Sequence, residues 1–247
     1  MNISNKIYKY QLKIAQKVFS VYYAIFGAFL VSIIVATKIL DRCNGEVNGV
    51  DLGAFITIFV LGLCSFKKPF YFSQGNNVSR KSFIIGTIKY GVVMTAILPF
   101  INIIISKALS IFTDSPNIFD LIYMLPENFQ IYLNPALSDM KLYLLINYIW
   151  SFTIGLLIFM TGLTITMIYF RLNKIWQIMI SVIPIMVLII MKNFGYFTEN
   201  TVIPVIMELL GFEPQNPYIG IITFIILSLV AMIIQLSLVR RATINKE

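Results

Sequence analysis

Tyr218-Ile219-Gly220-Ile221-Ile222-Thr223-Phe224-Ile225-Ile226-Leu227-Ser228-Leu229-Val230-Ala231-Met232-Ile233-Ile234-Gln235-Leu236-Ser237-Leu238-Val239 carries no charge and is closed by Arg240-Arg241. About 20 predominantly apolar residues cross a bilayer. A helix this apolar on every side has no face to offer water. The stretch therefore reads as a membrane span ending at a positively charged interface. Working outward from it, comparable segments lie at roughly 19 to 40, 52 to 66, 82 to 106, 142 to 170 and 175 to 191. The expected fold is an all-α polytopic membrane protein with six transmembrane helices in one domain, 1 to 247. Composition agrees: 58% of the 247 residues are hydrophobic and 12% charged, against about 25% charged in soluble domains. Soluble enzyme classes are excluded.

An even number of spans puts both termini on one side. With Lys89 just inside the third span, that side gathers fourteen basic residues: Lys6, Lys9, Lys13, Lys17, Lys67, Lys68, Arg80, Lys81, Lys89, Arg171, Lys174, Arg240, Arg241 and Lys246. Its one acid is Glu247. The other side holds Lys38, Arg42, Lys107, Lys141 and Lys192 beside the remaining ten acids. Lys and Arg bias sets orientation, so both termini are expected to be cytoplasmic. The net charge of +8 is then a topology signal, and no nucleic-acid partner is expected. The first span is long for a signal peptide and lacks a small-residue cleavage site, so it is read as retained. The second is short, with fifteen residues between Asp51 and Lys67, and needs flanking residues or a thinned bilayer.

There is no histidine and no G-x-x-x-x-G-K-[ST] run. His-based metal and nucleophile constellations and the usual phosphate-cradling loop are thereby excluded. No catalytic, metal-ligating or cofactor-binding residue is assigned, and no enzyme activity is expected of this chain. Cys43 and Cys64 fall near opposite ends of one span, too far apart for a disulfide. All eleven acids lie in loops or at termini, which argues against an ion-coupled transporter. Lys89, nine residues after Arg80 and so roughly 14 Å along a helix, is expected to snorkel to the inner interface.

Residues 1 to 18 read as an interfacial helix. Ile3, Ile7, Tyr10, Ile14 and Val18 share one face at helical spacing, with Lys6, Lys9, Lys13 and Lys17 beside it. Ladders of small residues, which allow close helix approach, run through Ser20, Ala24, Ala28, Ser32 and Ala36, and through Asn147, Ser151, Gly155, Gly162 and Thr166. Pro99 in the third span leaves a carbonyl in need of a partner. Residues 193 to 217 are expected to form short outer helices, with Val202 to Phe212 closed by Gly211. The 107 to 141 loop, with its Leu121 to Leu125 cluster, makes a second outer element.

The most informative loop is Ser65-Phe66-Lys67-Lys68-Pro69-Phe70-Tyr71-Phe72-Ser73-Gln74-Gly75-Asn76-Asn77-Val78-Ser79-Arg80-Lys81-Ser82-Phe83. A helix over 66 to 75 ends at a Gly suited to a C-terminal cap, and Ser79 is placed to N-cap the next helix. The aromatic group of Phe66, Phe70, Tyr71 and Phe72 needs lipid or a protein groove to cover it.

Here the chain resembles permease subunits of bacterial ABC-2-type exporters, through Gly75, Val78, Ser79, Arg80, Lys81 and Phe83. It departs from that pattern by carrying Asn76-Asn77 between Gly75 and Val78. The resemblance extends to the basic N-terminal arm, the six spans and the outer helices before the last span. It implies a transmembrane subunit in a bacterial cell membrane that works with ABC ATPase subunits and a second permease, identical or different. Amphipathic peptides or hydrophobic drug-like compounds would be moved outward. The resemblance makes residues 66 to 75 a coupling helix, with Phe66, Phe70, Tyr71, Phe72, Gln74, Gly75, Arg80 and Lys81 at the ATPase-docking site. Composition served by AT-rich codons fits a low-GC bacterium. A non-transporting membrane scaffold, or an immunity or sensor protein, would use the same spans as an anchor.

Overall fold

The computed structural model describes residues 3–38, 49, 51–109, 116–123, 140–193, 203–212 and 214–240. Every regular element among them is a helix: α1 (Ile3–Lys38), α2 (Leu52–Cys64), α3 (Lys67–Gly75), α4 (Arg80–Leu109), α5 (Ile118–Tyr123), α6 (Met140–Arg171), α7 (Lys174–Asn193), α8 (Ile203–Leu209) and α9 (Pro217–Arg240). Five helical stretches are long and apolar enough to cross a membrane: Ile3–Ser32, Leu52–Gly75, Arg80–Leu109, Leu142–Arg171 and Pro217–Arg240. The chain has a multi-pass membrane architecture. The segment expected as a further span, 175 to 191, falls on α7, whose described apolar stretch is the shorter Lys174–Ile183. Cys43, residues 194 to 202 of the expected outer segment and most of the 107 to 141 loop lie outside the described residues. Cys64 is a free, exposed thiol.

α6 is the central helix, packing against α2, α4 and α9, while α1 lies along α4. Absent side chains set the tightest approach. A Cβ on Gly162 would stand 2.7 Å from the Phe59 carbonyl oxygen, and one on Gly62 would run into the Phe159 carbonyl. The two backbones touch as in small-residue membrane interfaces, and Thr166 Oγ1 donates across the seam to the Leu63 carbonyl at 2.8 Å. The buried Phe159 ring fills the space left by Gly91 on α4. Gln235, fully buried on α9, donates to the Met160 carbonyl at 2.9 Å and to Thr164 Oγ1 at 3.0 Å. A side-chain amide in an apolar bundle needs such partners.

The two ladders have different fates. Asn147, Ser151, Gly155 and Gly162 point inward. Ser20, Ala24, Ala28 and Ser32 on α1 are exposed. α1 instead packs through Ser4, Ile7, Gln11, Ala15 and Leu30, and it runs unbroken through residues 18 and 19, where an arm was expected to give way to a span. Of the face expected to meet lipid, Ile7 is buried, whereas Ile3, Tyr10, Ile14 and Val18 are exposed. The Ile7 reversal has a local cause: Gly86 on α4 leaves a hollow that Ile7 and the Ser4 carbonyl occupy. Near Pro99, Tyr148 donates its hydroxyl to the Ala96 carbonyl at 3.2 Å, one residue beyond the Thr95 carbonyl whose N–H partner proline removes.

Contacts sort the helix ends into two groups. One end joins the first turns of α1, the end of α2, α3, the start of α4 and the ends of α6 and α9: Gln11 Nε2 reaches the Ser65 carbonyl at 3.1 Å, Phe70 meets Phe170, and Arg80 Nη1 donates to the Arg240 carbonyl at 2.9 Å. The opposite end joins Asp51, α5, the start of α6 and the start of α9. There Trp150 Nε1 donates to the Tyr123 hydroxyl at 3.1 Å, and Phe119 and Phe224 pack edge-on to Trp150 at 5.7 and 6.0 Å. α8 closes onto this end through a cap at Gly211 (φ +74), where Phe212 N–H bonds the Met207 carbonyl at 2.8 Å.

Candidate functional site

α3 is a nine-residue helix between two long ones, and its two faces differ in kind. Phe66 and Phe70 are fully buried and stack at 4.9 Å. Phe83, at the start of α4, meets them edge-on at 5.8 and 5.3 Å. Phe170, near the end of α6, meets the same pair at 5.3 and 5.6 Å. Edge-to-face pairs at these separations each contribute about 0.5–1.5 kcal/mol beyond area burial. The four rings thus lock α3 to α4 and α6.

Phe66 and Phe70 therefore do not present themselves to a partner as the sequence suggested; the protein supplies their groove. The outward face is carried by Lys67, Lys68, Tyr71 and Gly75, all exposed. Positions 67, 71 and 75 recur every four residues on one side of the helix. Tyr71 is 39% exposed, and its ring meets the Phe170 edge at 5.6 Å. Phe72 is 53% exposed, yet it is stacked at 4.6 Å by Tyr10 from α1. Gln74 is half-buried and donates to the Val78 carbonyl at 2.9 Å across the turn. Arg80 is tied to the end of α9, and Lys81 remains exposed beside it.

The helix end also departs from expectation. Gly75 is the last helical residue, and nothing lies within 4 Å of the place its Cβ would take. The left-handed residue is Asn77, at φ 55. Val78 N–H reaches the Ser73 carbonyl at 3.0 Å and Asn77 N–H the Gln74 carbonyl at 3.0 Å, the paired bonds of a Schellman ending. Asn is the usual alternative to Gly there, so Asn76-Asn77 builds the cap. Ser79 Oγ accepts the Ser82 N–H at 3.2 Å, the N-cap read from the sequence.

Polar residues brace the same end. Gln11 Nε2 bonds the Ser65 carbonyl and, at 3.1 Å, Thr87 Oγ1, joining α1 to α2 and α4. Lys89 Nζ donates to Asn5 Oδ1 at 2.9 Å, a second polar tie between α4 and α1.

A second constellation, at the opposite end, was not legible in the sequence. Asp51 is buried at the start of α2, but its carboxylate does not cap that helix; Oδ2 accepts the Ile118 N–H of α5 at 3.3 Å. Asn117 and Asp120 cap each other reciprocally, at 2.9 and 3.2 Å. Tyr143 donates to Asp120, and Asn147 and Ser151 extend the chain into α6. Burial pushes the Asp51 carboxyl up to about 6; the Ile118 bond opposes this and the Asp120 charge adds to it. The one sequence signal was the Asn117-x-x-Asp120 spacing, a capping-box variant.

This chain matches no family model, no curated protein and no solved structure.

Proposed function

We propose that this chain is the transmembrane permease subunit of a bacterial ATP-binding-cassette exporter, with α3 as the coupling helix that meets a partner ATPase. The observation that carries the reading is the division of α3: an inner face fused by Phe66 and Phe70 to α4 and α6, and an outer face of Lys67, Lys68 and Tyr71 left open. A helix built this way passes a push on its outer face directly to two spans. An anchor or scaffold has no need of it.

Two features support six spans with both termini cytoplasmic. α6 ends beside α3, whereas α9 begins at the opposite end, so the chain after Arg171 must cross the bundle. α7, at twenty residues and about 30 Å, has the length to do so. It turns back along α6, where the Tyr169 and Ser181 hydroxyls meet at 2.6 Å. The end that collects α3 and the termini of α6 and α9 also carries the basic excess, which the positive-inside rule assigns to the cytoplasm. Pairing with a second permease fits the exposed Ser20, Ala24, Ala28 and Ser32 ladder of α1. The cargo class, amphipathic peptides or hydrophobic compounds moved outward, comes from the family resemblance.

The test is co-purification from native membranes followed by ATP hydrolysis in lipid. Tyr71→Ala combined with Lys68→Glu should leave the permease folded while abolishing ATPase recovery. If the double variant retains its ATPase and its transport, α3 is not the docking element. A wild-type chain that recovers no ATPase favours the scaffold reading. Single cysteines at Lys6 and Asn77, both exposed, in a Cys43→Ser, Cys64→Ser background, should resist impermeant thiol reagents applied to intact cells.

A further inference from the structure

Besides the face of α3, the basic end carries a groove of ≈ 470 Å³ between the last turns of α6 and α9, lined by Arg171, Ile233, Ile234, Ser237, Leu238 and Arg240. We propose that this groove binds an anionic phospholipid, with its phosphate between Arg171 and Arg240 and an acyl chain along Ile233, Ile234 and Leu238.

Three observations converge on that occupant. Ile233, Ser237 and Arg240 follow each other at four and three residues, and Ile234 and Leu238 at four, so one helical surface runs from guanidinium to hydroxyl to aliphatic side chains. Ile233 stands seven residues, about 10 Å, from Arg240 along the axis, the order in which a lipid presents phosphate, ester and chain. Charge complementarity then selects among lipids. Arg171 and Arg240 come from different helices, a third arginine, Arg80, is bonded to the Arg240 carbonyl, and no ion pair to any of the three is present among the described residues. Guanidinium groups gathered without a counter-charge repel one another, and a phosphate matches their planar donor forks. Helix-end arginines also complement the macrodipole and set topology, but neither role needs two of them around one apolar groove. Basic pockets between spans on the cytoplasmic side are the usual form of anionic headgroup sites. Placing the lipid in the inner leaflet rests on the orientation proposed above; binding itself does not.

The experiment uses the full chain in a zwitterionic detergent, with lipid binding followed by native mass spectrometry and by thermal melting. Phosphatidylglycerol should bind and raise the melting temperature, and phosphatidylcholine should do neither. Arg171→Gln with Arg240→Gln should weaken phosphatidylglycerol binding at least tenfold; both side chains are exposed, and the Arg80 bond to the Arg240 backbone is kept. Ser237→Trp, which fills the groove with both arginines intact, should weaken it as well. Lys67→Gln with Lys68→Gln, at the same end but away from the groove, should bind like wild type. Melting without lipid reports whether each variant folds, and inorganic phosphate should neither stabilise the protein nor displace the lipid. The proposal is overturned if the arginine double variant binds like wild type, if phosphatidylcholine binds equally, or if the lysine variant loses as much. Full competition by inorganic phosphate would also overturn it, leaving a simple anion site. An absent ATPase partner alters none of these readouts, so failure of the exporter reading and failure of this one are distinguishable.

Discussion

Replacing Phe70 by alanine and replacing Tyr71 by alanine should have opposite consequences, although the two residues are adjacent. Phe70 is fully buried and faces Phe66, Phe83 and Phe170 at 4.9, 5.3 and 5.6 Å. Truncating a buried Phe costs about 3–5 kcal/mol in transfer and cavity terms. The three aromatic pairs lost here place Phe70→Ala at the upper end, because Phe66 and Phe83 are held by one another and cannot collapse into the space. Tyr71 loses one edge contact at 5.6 Å, about 1 kcal/mol. Thermal melting in detergent, with limited proteolysis of the 66 to 80 segment, reads the first effect; ATPase co-purification reads the second. Phe70→Ala should melt far below wild type and expose the segment to protease, whereas Tyr71→Ala should melt close to wild type and lose its partner. A Phe70→Ala protein as stable as wild type would refute the packing described for α3.

Gly162→Ala forces a methyl to 2.7 Å from the Phe59 carbonyl oxygen and 3.2 Å from the Leu63 nitrogen, backbone atoms that cannot rotate away. It should cost about 1–3 kcal/mol in a melting assay. Gly75→Ala meets nothing within 4 Å and should be neutral or stabilising by up to about 1 kcal/mol. Asn77→Val, in a left-handed position, should lose about 1–2 kcal/mol. Ala28→Trp on the exposed ladder should abolish cross-linked dimers in membranes without lowering the melting temperature of the monomer. Asp51, raised from 3.8 to about 6, favours the protonated form when folded. Its stability contribution is therefore complete below about pH 4 and lost as pH rises through 6, a difference on the order of 2–3 kcal/mol. Asp51→Asn should remove that dependence, and a wild-type melting temperature flat between pH 4.5 and 7.5 would exclude it.

Span positions were legible because the hydrocarbon core demands length and apolarity, which Pro217–Arg240 and Arg80–Leu109 display without help from the rest of the chain. Inward and outward faces were legible only where chemistry differs across a helix. On α6 the Asn147, Ser151, Gly155 and Gly162 ladder points in, and on α1 a ladder of Ser20, Ala24, Ala28 and Ser32 points out. What separates them is the partner: Gly62 faces Gly162, a complementarity that one helix cannot announce. The same reason hid the direction of Phe66 and Phe70, since the ring that covers them, Phe170, lies about a hundred residues away. Asp51 was counted by position among the acids of loops and termini, and its neighbours in sequence do not say what its carboxylate meets. That this one caps α5 depends on where residue 118 returns to the bundle.

The placement of rigid and open elements bears on how a push could travel. α3 has almost no freedom of its own, being held by rings on one face and by the Asn77 cap at its end. Displacement of its outer face must therefore move α4 and α6 with it, because their Phe83 and Phe170 are the other half of the lock. α6 in turn touches α2 through backbone and α9 through Gln235, so little can slip between them. α7, by contrast, leaves Ile175, Ile178, Met179, Val182 and Ile183 exposed, and its described bonds to the end of α6 run through Gln177 and Ser181. Under the proposed exporter reading, α4 and α6 are the elements driven through α3.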